Sequence, residues 1–177
     1  MVKNFTSCFI GIPIPDQYQI AFEELLIKVS KINPLFKAPS MRTPHITVYY
    51  LDKQSQNNID EIMIKVTNRL KLLKSVRLQI GGFGYFRDDN PRVIFLEVKY
   101  PDVLTTFNTV ISKNLANYSA EDNILPFHPH VSVSWIGDPE AQKVFTEFKT
   151  KLQELLDTIR WDFEIKELVL YDVDSTK

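Results

Sequence analysis

Pro44-His45-Ile46-Thr47-Val48 and Pro129-His130-Val131-Ser132-Val133 repeat one pattern 85 residues apart. In each, a proline precedes a histidine, and polar residues then alternate with apolar ones. Strict alternation marks a β-strand, whose successive side chains point to opposite faces. His45 and Thr47 therefore share one face, as do His130 and Ser132. Ile46, Val48, Val131 and Val133 point the other way, into a core. Along each strand the imidazole and the hydroxyl stand roughly 7 Å apart. The chain has three histidines, and 44% of its 177 residues are hydrophobic. With its content of Ser and Thr, a given histidine opens this pattern by chance roughly 2% of the time, and two of three do so roughly once in 600 sequences. One such motif alone reads as an ordinary strand histidine. Two at equivalent positions of a repeat read as a site.

The flanking sequence runs through the same elements twice. Residues 5–14 are apolar and β-branched, bounded by Pro13 and Pro15, and predict a strand. Residues 17–32 predict a helix, with Ile20, Leu25, Ile27 and Ile32 near helical spacing and Asp16 as N-cap. A loop over 33–44 leads to the strand HITVYYL, a helix over 59–73 and a strand over 76–80. GGFGYFRDDNP reads as a turn-rich connection. The second half predicts a strand over 92–100, a helix over 103–117, a loop over 118–129 and the strand HVSVSWI. A helix over 143–156 follows, then one or two closing strands over 161–173. Moving each residue forward by 85 puts Asn33 on Tyr118, Ile59 on Val144 and Val76 on Trp161, so element falls on element without a gap. The expectation is an α+β architecture with two repeated lobes, roughly 5–84 and 90–173, inside one domain spanning 1–177.

Composition narrows the function. A chain of 177 residues is one domain's worth. Its 21 basic and 22 acidic residues leave a net charge of −1, which argues against a broad basic surface for sequence-blind nucleic-acid binding. Apolar runs such as residues 10–14 fall far short of a membrane span. The opening MVKNFTSCFIGIPIP makes a poor signal peptide and a good first strand. The single cysteine, Cys8, forms no intramolecular disulfide and fits a reducing cytoplasm. No interface signature stands out, so a monomer without membrane attachment is expected.

Two imidazoles facing each other across a pseudo-twofold axis suit in-line displacement at phosphorus. Titrating near neutrality, one ring accepts a proton while the other donates one. Thr47 and Ser132 would hold the non-bridging phosphate oxygens. A strained cyclic ester needs no metal to depart, so no cofactor is expected. His-Pro-His at 128–130 invites a metal reading, but no clustered cysteine or carboxylate stands at ligand spacing, and no metal site is expected.

With these residues in view, the sequence resembles the two-histidine phosphoesterase superfamily, and within it the RNA 2′,3′-cyclic phosphodiesterases, often labelled 2′-5′ RNA ligases. PHITV and PHVSV look like its paired His-x-Thr/Ser-x signatures. SCFIGIPIPDQYQIAFEEL is similar to its first strand and helix, GGFGYFRDDNPRVIFLEV to its central hairpin and ELVLYDVDS to its closing strand. The resemblance implies a bilobal α+β fold of two pseudo-symmetric ferredoxin-like β-α-β-α-β halves around a central cleft. It also implies metal-independent opening of 2′,3′-cyclic phosphates on RNA 3′ ends or nucleotides, with a 2′-phosphate product and reverse 2′-5′ ligation. His45 as general acid and His130 as general base follow from the resemblance. The chain departs from the family in having Tyr49-Tyr50-Leu51-Asp52 where Phe-Leu-Gly is commoner, Ser132 for Thr, and Trp135 or its neighbours where an Arg is frequent.

Further candidates surround the cleft. Arg42, three residues before His45, and Arg92, before the fourth strand, are placed to neutralise phosphate. By simple alternation Tyr49 joins the face of His45 and Ser134 that of His130. Tyr49, Phe83, Tyr85 and Tyr171 are candidates for stacking on a base. Other readings are 2′-5′ oligonucleotides or another cyclic phosphate, such as ADP-ribose 1″,2″-cyclic phosphate, as substrate, and a non-catalytic module that binds RNA ends.

Overall fold

Each helix buries one stripe of apolar residues at helical spacing, and the two histidine strands begin with alternating burial. The computed structural model describes residues 4–5, 8–51, 53–73, 75–87, 90–119 and 126–172. Residues 6–7 of the expected first strand, residue 173 of the closing strand and part of the 118–129 loop lie outside the described residues. In chain order the strands are β1 (Asn4–Phe5), β2 (Cys8–Pro13), β3 (His45–Leu51), β4 (Gln54–Ser55), β5 (Arg77–Tyr85), β6 (Val93–Lys99), β7 (His130–Trp135), β8 (Trp161–Glu164) and β9 (Val169–Asp172). The helices are α1 (Gln19–Ile32), α2 (Gln56–Leu70), α3 (Asp102–Leu115) and α4 (Pro139–Leu156).

Ser55 caps α2 by accepting from the Asn58 N–H, and Asp138 caps α4 by accepting from the Glu140 N–H at 2.8 Å, with Pro139 opening the helix. Helix α1 differs from its sequence reading in face and cap. Phe22, Leu25, Leu26 and Val29 are buried, while Ile20 and Ile27 are exposed. Asp16 makes no cap bond and sits in a 3-10 turn ahead of the helix. The four-residue stripe around Phe22 outcompetes the looser Ile20/Ile27 spacing. Burying a side chain of this size contributes roughly 1.5–3 kcal/mol.

Strand β5 runs farther than expected. The glycines read as a turn lie inside it: the ladder with β6 shifts register between Ile80 and Phe83, with Gly81 and Gly82 at φ 153° and 92°. Conformations that other residues avoid make a bulge here, and the strand continues to Tyr85 before the hairpin turns.

The antiparallel sheets distribute the repeat between them. One has the order β3-β2-β9 and the other β7-β6-β5-β8. Closing strand β9, from the second half, pairs with β2 of the first, and β5, closing the first half, pairs with β6 of the second. The helices exchange likewise: α1 packs with α4 and lies on β7, whereas α3 packs with α2 and lies on β3. The repeat in the text is thus not a spatial partition, because both of these sheets contain strands from each half, while the two-stranded β1–β4 pair lies within the first. A single cluster of buried side chains runs through both sheets and all four helices. Edge strands β3 and β7 lie against each other, bringing the two histidine motifs together.

Candidate active site

His45 and His130 are the first residues of β3 and β7. Each ring is tied to its own loop in the same way. His45 Nδ1 lies 2.8 Å from the Thr43 carbonyl, and His130 Nδ1 lies 2.7 Å from the His128 carbonyl. A carbonyl only accepts, so both Nδ1 atoms carry a proton, and each Nε2 has no hydrogen-bond partner among the described residues. Thr47 and Ser132 follow on the same half-buried face, while Ile46, Val48, Val131 and Val133 are buried, as alternation predicted.

Alternation then fails in both strands at equivalent places. In the β2–β3 ladder Gly11 faces Thr47 and Ile10 faces Tyr49, so Val48 is an extra residue. In the β6–β7 ladder Phe95 faces Ser132 and Ile94 faces Ser134, making Val133 the extra residue. Each bulge turns the next residues over. Tyr49 and Ser134, expected in the cleft, are instead buried at 2% and 1% exposure. Ser134 Oγ donates to the Lys37 carbonyl, pinning the loop before β3. Tyr50 and Trp135 take their places on the histidine face. The bulge carbonyl of Val48 is satisfied by Asn108 Nδ2 on α3, at 2.7 Å.

Aromatic rings support both imidazoles. Phe9 and Tyr171 stack on each other, and each ring centre is 4.8 Å from that of His45. Phe86 and Phe95 lie 4.8 and 5.0 Å from His130. The offset of 85 carries Phe86 onto Tyr171, so the supports repeat with the motifs. Of the rings proposed for stacking, Tyr171 is at the site. Phe83 is not: it packs with Tyr85 against Phe145 of α4, because the glycine bulge puts it on the helix-facing side of β5. Tyr85 accepts from Lys149 Nζ there. Phe9, Phe86, Phe95, Tyr50 and Trp135 were missed; superposing the halves at the offset would have flagged Phe86 and the Tyr50–Trp135 pair.

Arg42 is exposed on the loop before β3, with its carbonyl accepting from Gln19. Arg92 stands beside the far end of β7, where its carbonyl accepts from the Ile136 N–H, and its buried Nε meets no acceptor among the described residues. His128 packs edge-on against Phe86 and Phe95. Among the described residues, no three His, Cys, Asp or Glu side chains gather as a metal-ligand set.

Burial governs the electrostatics. It lowers His45 from its ordinary value near 6.5, against the pull of the Thr43 carbonyl. Burial, together with repulsion from His128 and His45, pushes His130 down to about 4. Burial and the Glu167 carboxylate raise Tyr171 to about 12, so its hydroxyl stays protonated.

Two antiparallel sheets that present paired His-x-Thr/Ser strands to each other define a two-histidine phosphoesterase. The family model of the 2′-5′ RNA ligase superfamily matches residues 23–177, and the chain belongs to that superfamily. It is 27% identical over 128 residues to a Thermotoga maritima protein named RNA 2′,3′-cyclic phosphodiesterase, covering 71% of this chain and 67% of that one. Among solved structures, TT0787 of Thermus thermophilus shares the fold with a TM-score of 0.64 at 16% identity, over 93% of this chain and 87% of that one. LigT of E. coli, complexed with NADP+, does so with a TM-score of 0.63 at 15% identity, over 94% and 87%. Among the described residues, no helix is long and apolar enough to cross a membrane.

Proposed function

We propose that the protein hydrolyses 2′,3′-cyclic phosphates on RNA ends or nucleotides to 2′-phosphates without a metal. What carries this reading is the symmetry of the two rings: Nδ1 tied to a carbonyl two residues back, Nε2 free, and a hydroxyl two residues on. The name of the Thermotoga maritima relative points to the same substrate. His130, the more strongly depressed, is the neutral ring and acts as general base. His45 holds its proton more readily once a phosphate anion is bound, and acts as general acid.

Thr47 and Ser132 donate to the non-bridging oxygens and place phosphorus between the rings. His130 Nε2 takes a proton from water, whose oxygen bonds to phosphorus as the bond to O3′ breaks. His45 Nε2–H delivers its proton to O3′. With a 5′-hydroxyl in place of water, the same events give 2′-5′ ligation. Arg42 and Arg92 offer positive charge to the RNA strand, and the lone buried thiol, Cys8, raised to about 11, suits a monomer in the reducing cytoplasm.

The test is turnover of 2′,3′-cyclic AMP and of a short RNA ending in a cyclic phosphate, in EDTA, with 2′- and 3′-phosphates resolved. His45→Ala and His130→Ala should each lower kcat by about 10²- to 10⁴-fold with an unchanged circular-dichroism spectrum. Near-wild-type rates in either variant, or no turnover by folded wild-type protein, would overturn the proposal.

A further inference from the structure

We infer that Trp135 is a stacking platform for a substrate base, making the site selective for nucleosidic over base-free phosphate esters. The inference rests on the phosphodiesterase reading for the identity of the occupant. The bulge at Val133 places Trp135 on the face of His130 and Ser132, where 53% of it is exposed. The protein's other tryptophan, Trp161, is 4% exposed and stacks on Tyr18. An indole half open to water beside catalytic groups is what a base-stacking surface requires.

The platform is held in place. Trp135 exchanges main-chain hydrogen bonds with Lys37, donating at 2.8 Å and accepting at 3.3 Å, and Ser134 Oγ donates to the same Lys37 carbonyl. The indole lies so close over Gly137 that a Cβ there would come within 2.5 Å of its Nε1. Pre-organisation of this kind lowers the ordering cost of binding.

Position selects the occupant. Allowing for the bulge, Trp135 stands two strand steps beyond Ser132, roughly 7 Å, about the span of a ribose between its phosphate and its base. Lys37 and Arg92 bring positive charge to the same end of β7 through their main-chain bonds to it.

Tryptophan fluorescence reads this directly, since of the two indoles only that of Trp135 is exposed. Adenosine 3′-monophosphate should quench the emission saturably, and ribose 5-phosphate at equal concentration should not. Trp135→Ala should raise KM for 2′,3′-cyclic AMP about tenfold with kcat within about twofold, and Trp135→Phe should recover most of the loss. The remaining buried emission of Trp161 reports that the variant is folded. Equal quenching by ribose 5-phosphate, or an unchanged KM in Trp135→Ala, would overturn the inference. Quenching is independent of turnover, so a protein that binds the nucleotide yet turns over neither substrate would refute the phosphodiesterase reading and leave the stacking platform standing.

Discussion

His130 donates its Nδ1 proton to the main-chain carbonyl of His128, 2.7 Å away, while the charge of the His128 ring opposes protonation of His130. That short turn fixes the tautomer of the ring; burial is the main cause that lowers its pKa, and repulsion from the His128 ring adds to it. Thr43 does the first of these for His45 but brings no charge, so two motifs alike in sequence become chemically unequal.

That inequality predicts a displaced pH profile. In the proposed mechanism the productive state of the free enzyme has neutral His130 and protonated His45. kcat/KM should rise as pH climbs through about 4, where His130 loses its proton, and fall as His45 loses its own below 6.5. A bound phosphate favours imidazolium, so the alkaline limb of kcat should lie at higher pH than that of kcat/KM. Steady-state kinetics between about pH 4 and 9 would check this, and coincident alkaline limbs would contradict it.

Stability should follow the same groups. Both histidines are harder to protonate in the fold than in the unfolded chain, so acid favours unfolding. The stability they contribute is fully present above about 6.5 and is lost as pH falls toward about 4. Thermal melts at about pH 7.5 and 5 should show a decline that is smaller in His130→Asn. Inorganic phosphate at the lower pH should restore part of it by pairing with the protonated rings. An identical decline in the variant would contradict this account.

Ser132 and Ser134 differ by two positions and should differ in kind. Ser132→Ala removes a hydroxyl from the histidine face and should lower kcat/KM by about 10- to 100-fold with little change in Tm. Ser134→Ala removes the bond to the Lys37 carbonyl. It should cost roughly 1 kcal/mol, a few degrees in Tm, with activity nearly intact. Parallel kinetics and melts separate the two roles, and interchanged effects would place the face reversal elsewhere.

The α+β pattern, the repeat and the four residues His45, Thr47, His130 and Ser132 were legible because each is local. Strand alternation, helical spacing and a recurring motif are written in runs of a few residues, and the offset of 85 joins them without reference to space. Alternation erred at Tyr49 and Ser134, one residue past each motif, because a bulge is a property of two paired strands. Val48 is an extra residue only relative to Ile10 and Gly11. The same is true of Phe83, whose face is set by a glycine bulge opposite β6.

Local sequence was enough to name the side chains proposed for the chemistry and to show that they come as a symmetric pair. Their surroundings came from the folded chain alone. β9 and β5 cross between halves to bring Tyr171 beside His45 and Phe86 beside His130, and paired bulges turn Tyr50 and Trp135 toward the cleft. Strand pairing and burial are cooperative over the whole chain. A residue's face, and the depression of a histidine's pKa, therefore depend on neighbours that sequence distance does not reveal.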